Sequence, residues 1–362
     1  MNRAMRMITF LSLLLVFTGC SAQPQLIEDI QFIQAMGYDL IDGETQATGV
    51  TTIYMPAEDA SPENATLNVP RDDLEDLYSK FQAKSSRYMD TSRSRVHLFH
   101  EELAAEEGVF PIFDTIQRNP MIEQDMKVAV TKGTTKEILE GDYPLASTVY
   151  RYLLDLIELN KDEQIPQANF HDFLYLYYAE GADPHLPLLK KQGDHVVIIG
   201  TALFKGDKYI EEMDLEQAHI FRMLIEDTEE GTVNIDLNED KSVGFHHLST
   251  YPDWTIKQEN DGIHVQVDVE IEGVLRETQN IDVSQTENIQ QLETIAAQQL
   301  QTELEEIIHF LQENEIDTIG IGERVGQNVR GLDIQQWEEE EYTDLDVEVN
   351  VDFTIENTGA VE

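Results

Sequence analysis

Cysteine is nearly missing from this chain: Cys20 is the one thiol among 362 residues. A lone thiol cannot close an internal disulfide, so the fold must be held by packing. Positive charge is also scarce, with 24 Lys and Arg against 71 Asp and Glu and a formal net charge of −47. Nucleic-acid binding requires clustered Lys and Arg that displace counterions from phosphate, so this balance argues against it. It argues equally against loose attraction to an anionic membrane surface. After residue 20 no apolar run approaches the roughly 20 residues that a membrane-crossing helix needs. Several signatures of chemistry are missing as well. There is no GxSxG, no GK[ST] and no cysteine outside position 20 to act as a nucleophile.

What is present begins at the N-terminus, MNRAMRMITFLSLLLVFTGC. Arg3 and Arg6 form a positive region, residues 8–17 are mostly apolar, and Thr18 and Gly19 lead into Cys20. This is the layout of a lipoprotein signal, removed as residues 1–19 while the Cys20 thiol is acylated, for example with palmitate. Phe17 stands where Leu is more usual, and an ordinary secretory leader with an incidental Cys20 is the alternative. Loss of Arg3 and Arg6 would take the net charge from −47 to −49. Such a chain would drift from an anionic membrane unless held covalently; acyl chains contribute about 0.8 kcal/mol per buried CH₂. The acidity fits either a salty or alkaline habitat or plain solubility.

Hydrophobic periodicity indicates an α+β chain of two or three mixed domains. Residues 30–40 form a strand ending at the turn pair Asp42-Gly43, with 50–54 as its hairpin partner. Residues 57–70 form a loop, since Pro56 and the prolines that follow interrupt them. Helices are expected over 72–89, with Asp72 or Asp73 as cap, around Leu153 and Ile157, and over 214–226 with Asp214 as cap. Residues 196–199 form a short strand, a hairpin or turn surrounds Lys205-Gly206-Asp207, and the acidic stretch 227–241 is exposed. Ile263, Val265, Val267, Val269 and Ile271 alternate with polar residues, and 345–355 alternates again. Between them Ser284 and Glu287 form a capping-box pattern that opens a long helix with Leu292, Ala296, Leu300, Leu304 and Leu311 on one face. An antiparallel C-terminal sheet, half-buried, packed on that helix and wet on its other face, follows. The expected divisions are 20–194, 195–249 and 250–362.

Candidate sites fail one by one. His97 and His100 flank Leu98-Phe99, but their order differs from HExxH, in which Glu follows the first His. They read as surface or locally hydrogen-bonded histidines. His246 and His247 would point to opposite faces of a strand. Asp236, Asn238 and Asp240 begin like a calcium loop, but Lys241 stands where Gly is needed and His247 where Glu is needed. Gly320, Gly322 and Gly326 follow a helix where a dinucleotide fingerprint follows a strand, and they read as turns. No catalytic residue, metal or cofactor is therefore expected.

Four blocks in order resemble the C-subunit lipoprotein family of spore germinant receptors, Ger(x)C-type spore germination proteins. The first is Cys20 followed by Ile27-Glu28-Asp29-Ile30 and Met36-Gly37-Tyr38-Asp39. The second spans 97–141, with HLFHEELA, Arg118 and VAVTKG. The third is GTALFKGDKYIEEM, from Gly200, and the fourth runs from Thr318 through Gly322, Val329 and Trp337 to Gly359. Ser21 departs from the tryptophan that often follows the lipidated cysteine. The resemblance implies a non-catalytic subunit on the outer face of the spore inner membrane. It would be lipid-anchored and assembled with membrane-embedded A and B subunits. The complex would respond to small nutrient molecules such as amino acids or sugars. A solute-binding lipoprotein of an uptake system is the alternative, and would show two lobes of repeated strand–helix units.

Overall fold

The computed structural model describes residues 30–53, 63–70, 74–119, 125–144, 147–161, 164–238, 241–259, 262–276 and 285–357. Cys20, the leader, Asp72, Asp73 and Ser284 lie outside them.

The chain opens with an antiparallel meander of β1 (Ile30–Ile41), β2 (Glu44–Ile53) and β3 (Glu63–Pro70). Asp42 and Gly43 turn the first hairpin with φ of 54° and 77°, the positive values a two-residue hairpin requires. Helix α1 (Leu74–Lys84) and the short β4 (Tyr88–Asp90) follow, β4 lying parallel to the start of β1. Strand β5 (Val96–His100) runs directly into α2 (Glu101–Glu106) and then α3 (Phe110–Gln117). Strand β6 (Lys127–Lys132) is followed by α4 (Thr135–Leu139), α5 (Val149–Lys161) and α6 (Phe170–Tyr178). Strands β7 (His185–Gln192), β8 (His195–Lys205) and β9 (Lys208–Asp214) complete the sheet as antiparallel neighbours.

Its order is β3-β2-β1-β5-β6-β7-β8-β9, with β4 against β1. The central β1, β5, β6 and β7 are mutually parallel. Parallel strands are covered on both faces, and every residue of β5 is buried. Phe81, Phe99, Phe113, Phe170 and Phe173 pack on one face. Leu98, Ile138, Leu153 and Phe221 pack on the other.

Helix α7 (Leu215–Ile225) carries that second core into the C-terminal half. Asp214 caps it with the full reciprocal box, its side chain taking the Gln217 N–H while Gln217 returns a bond to the Asp214 backbone. Strands β10 (Thr232–Asn238), β11 (Lys241–Glu259) and β12 (Gly262–Leu275) form an antiparallel meander. Helix α8 (Thr286–Glu313) crosses over it. Helices α9 (Ile321–Asn328) and α10 (Ile334–Glu340), then a short 3₁₀ turn (Tyr342–Asp344), lead to β13 (Val347–Asn357). Leu292, Ala296, Leu300, Leu304 and Leu311 of α8 are buried, as their spacing predicts. Each buried Leu there contributes about 1.5–3 kcal/mol relative to exposure. The outward residues of β12 from Gln266 to Glu272 are part-exposed or exposed.

Several expectations need correction. The last strand is parallel to β12, because the chain returns through the α8 crossover and not through a hairpin. Residues 63–70 are an edge strand, not a loop; Ala65, Leu67 and Val69 alternate there. The first helix stops at Lys84, and residues 88–90 become β4. The strand foreseen at 196–199 runs from His195 to Lys205. The acidic stretch 227–241 contains β10, whose Val233 and Ile235 are buried. Gly322 and Gly326 are helical, within α9; only Gly320, with φ 75°, has turn geometry. Residue 194 falls in the β7–β8 turn and residue 249 within β11.

Candidate functional site

The family-like blocks meet one another in space, and their polar residues act as fasteners. Asp39 of β1 is almost fully buried. Its Oδ1 accepts the Thr135 N–H at 2.6 Å, and Oδ2 accepts the Thr135 hydroxyl at 2.9 Å and the Lys136 N–H at 3.1 Å. It thereby satisfies orphan donors at the start of α4. Lys132, at the end of β6, lies 2.6 Å from Glu101 and 2.6 Å from Glu212, and donates to the Tyr209 hydroxyl at 3.2 Å. Burial alone would lower its ammonium pKa, but these partners raise it well above the usual lysine value. Two blocks, the second through α2 and β6 and the third through β9, converge on this one cation. Asp207 accepts the Phe110 N–H on its side chain at 3.3 Å and the Val109 N–H on its backbone at 3.0 Å.

The fourth block docks on the first sheet through two buried carboxylates. The Asp183 side chain accepts from the Asp317 N–H (2.9 Å), the Gly206 N–H (2.9 Å) and Lys205 Nζ (3.0 Å). Lys205 also pairs with Glu338 at 2.5 Å. Asp317 accepts the N–H groups of Gly320, Ile321 and Gly322 at 2.9, 2.9 and 2.6 Å, at the start of α9. Burial pushes the Asp317 carboxyl up to about 7 against the pull of the Gly322 and Ile321 N–H groups. Gly181 lies against Gly322, and its carbonyl accepts the Glu323 N–H at 2.8 Å. The Asp183 N–H returns a bond to the Asp317 carbonyl at 2.9 Å.

Beside this junction lies a cavity of about 480 Å³, lined among others by Gln167, Asp172, His185, Glu226, Thr318 and Arg324. Helix α6 supplies Asp172, β7 supplies His185, the end of α7 leads into Glu226, and α9 supplies Arg324. Glu226 is engaged, with Arg222 at 2.5 Å and the Gln167 N–H at 3.2 Å. Asp172 Oδ2, Thr318 Oγ1 and Arg324 Nε are buried without a close hydrogen-bond partner, while Asp172 is also bonded by the Asn169 backbone and the Gln167 side chain. Burial lowers His185 to about 4, with the Gln167 backbone acting weakly the other way, so its ring is neutral at pH 7.

His97 and His100 are buried, not on the surface. His97 Nδ1 lies 3.2 Å from the Tyr38 hydroxyl, and burial lowers its pKa to about 3. Among the described residues no three His, Cys, Asp or Glu side chains come together as a metal site. No helix among them is long and apolar enough to cross a membrane. Sequence reasoning missed the roles of Asp183 and Asp317, because a single acidic residue among 71 carries no local signal of burial.

The fold defines a class. The crystal structure of the GerBC protein has the same fold, with a TM-score of 0.58 at 14% identity, over 89% of this chain and 97% of that one. Residues 23–191 match the spore germination protein N-terminal domain. Residues 199–359 match the spore germination B3/GerAC-like C-terminal domain. The chain belongs to this family of Ger(x)C-type spore germination proteins. It is similar to spore germination protein GerQC of Bacillus cereus, 25% identical over 99% of each chain. It is also similar to the putative spore germination protein YfkR of Bacillus subtilis (strain 168), 22% identical over 80% of this chain and 77% of that protein.

Proposed function

We propose that this protein is the lipid-anchored, non-catalytic C subunit of a spore germinant receptor. It is held at the membrane through acylated Cys20 and assembled with membrane-embedded A and B subunits on the outer face of the spore inner membrane. The complex responds to small nutrient molecules. The observation that carries this reading is the match of both family domains, in order, over residues 23–191 and 199–359. The acidic chain needs a covalent anchor to stay at an anionic surface.

The test is fractionation of a spore-forming host carrying Cys20→Ala. The variant is expected to leave the membrane fraction or to accumulate unprocessed, and to lose the nutrient response. Processed Cys20→Ala protein that stays in the membrane fraction would sink the anchor.

A further inference from the structure

We infer that the cavity beside the domain junction is a binding site for a small zwitterion, with a cationic group held at Asp172 and Glu226 and an anionic group at Arg324 and Thr318. The argument starts from unmet hydrogen bonds. Buried polar groups are nearly always paired, and each exception calls for an explanation. Of those recorded among the described residues, Asp172 Oδ2, Thr318 Oγ1 and Arg324 Nε belong to residues that line this one space. His185 is 5% exposed and Thr318 is 2% exposed, so bulk water does not reach them freely. The cavity, about 480 Å³, falls within the range of small-molecule sites, roughly 300–1,000 Å³. It has room for a small ligand and several waters at about 30 Å³ each.

The distribution of charge selects the ligand class. At one pole Asp172 and Glu226 are close enough that Asp172 raises the Glu226 carboxyl, on top of the larger effect of burial. Burial likewise raises Asp172, with His171, the Asn169 backbone, the Gln167 side chain and Lys127 acting the other way. Arg222 partly compensates Glu226, so one uncompensated carboxylate charge remains there. At the other pole the Arg324 guanidinium rests 5.3 Å over the Trp254 ring. The charges acting on it are Glu323, Asp317 and Tyr175, while Asp172 is not among them. Glu323 is itself engaged by the Tyr175 hydroxyl at 2.5 Å. A carboxylate and a guanidinium that face one space without pairing suit a molecule carrying both opposite charges. The neutral His185 ring also lines the space and adds no charge to it.

This site stands independently of the receptor role: loss of the Cys20 anchor would leave it intact, and absence of a ligand would leave the anchor intact. The experiment is calorimetric titration of the purified full chain with glycine, β-alanine and 4-aminobutyrate, which space the two charges progressively. Propionate and propylamine serve as half-ligands and glycerol as a neutral control. One zwitterion is expected to bind roughly tenfold or more tightly than either half-ligand, as one charge-assisted hydrogen bond implies. Arg324→Gln and Asp172→Asn are each expected to lose about tenfold or more by the same reasoning, with Arg324→Lys retaining more affinity than Arg324→Gln. Saturable binding of propylamine as tight as that of every zwitterion would overturn the proposal in favour of a bare cation site. Equal binding of glycerol, or no saturable binding by any compound, would overturn it in favour of a water-filled cleft. Should the variants fail to fold, the ligand series on the unaltered protein decides.

Discussion

Replacing Gly181 with alanine tests whether the two halves are locked by backbone contact. Gly181 has φ 78°, and an added Cβ would lie 2.5 Å from the Gly322 carbonyl carbon, 2.7 Å from the Glu323 nitrogen and 2.8 Å from the Gly322 Cα. All three are backbone atoms, which cannot swing aside as a side-chain tip can. The left-handed conformation alone costs a non-glycine residue about 1–2 kcal/mol. Overpacking adds about 1–3 kcal/mol. Displacement breaks the Glu323 N–H to Gly181 carbonyl bond, leaving a buried donor at about 1–3 kcal/mol. The least of these together is about 3 kcal/mol, which at roughly 1.4 °C per kcal/mol for a chain of this length lowers the melting temperature by about 4 °C. Gly331 supplies the control, since its φ is 79° and nothing lies within 4 Å of an added Cβ. Gly331→Ala should carry only the dihedral cost, about 1–2 kcal/mol. Differential scanning calorimetry of both variants measures the difference, and Gly181→Ala should also separate the unfolding of the two halves into two transitions. Equal melting temperatures for the two variants, with one transition each, would refute the lock.

Lys132→Met should lower stability by about 1–3 kcal/mol, because it leaves Glu101 and Glu212 part-buried and repelling; an unchanged urea midpoint would show that the triad contributes nothing. Burial lowers His97 to about 3, so the unfolded chain takes up this proton first as pH falls below about 6.5. The stability that neutral His97 confers is therefore complete above pH 6.5 and is lost on acidification. Between pH 6.5 and 5 the unaltered protein should lose about 2 kcal/mol relative to His97→Leu. This comparison isolates His97 from Asp317, whose raised value near 7 acts in the opposite sense, with stability lost as pH rises toward 7. Parallel pH profiles for the two proteins would contradict the assignment. Self-repulsion at −47 should make the melting temperature rise with sodium chloride, as screening shortens from about 30 Å at 0.01 M to about 3 Å at 1 M. Exposed Asp227, Glu229 and Glu230 and the run Glu339 to Glu341 are the crowded segments. A flat response would mean that local pairing already neutralises them.

Amphipathic period and local caps were legible because they depend on neighbours in sequence. The α8 stripe at Leu292, Ala296, Leu300, Leu304 and Leu311 is buried, and Asp214 caps α7, both as the residues alone indicate. Ala65, Leu67 and Val69 carried the same kind of signal for β3, but the neighbouring prolines outweighed it. Family membership was legible for a similar reason: short blocks keep their order along the chain.

Tertiary structure alone decided which of these blocks touch, and so what their polar residues do. Asp39 and Thr135 are 96 positions apart, and Asp183 and Asp317 are 134 apart. No local pattern distinguishes them from the other acids of a chain with 71. The direction of β13 was likewise hidden, because an alternating strand pattern is the same whichever way it runs; the α8 crossover makes it parallel. The cleft of Asp172, His185, Glu226, Thr318 and Arg324 draws on segments from both halves. That cavity exists only because α9 docks on the first sheet.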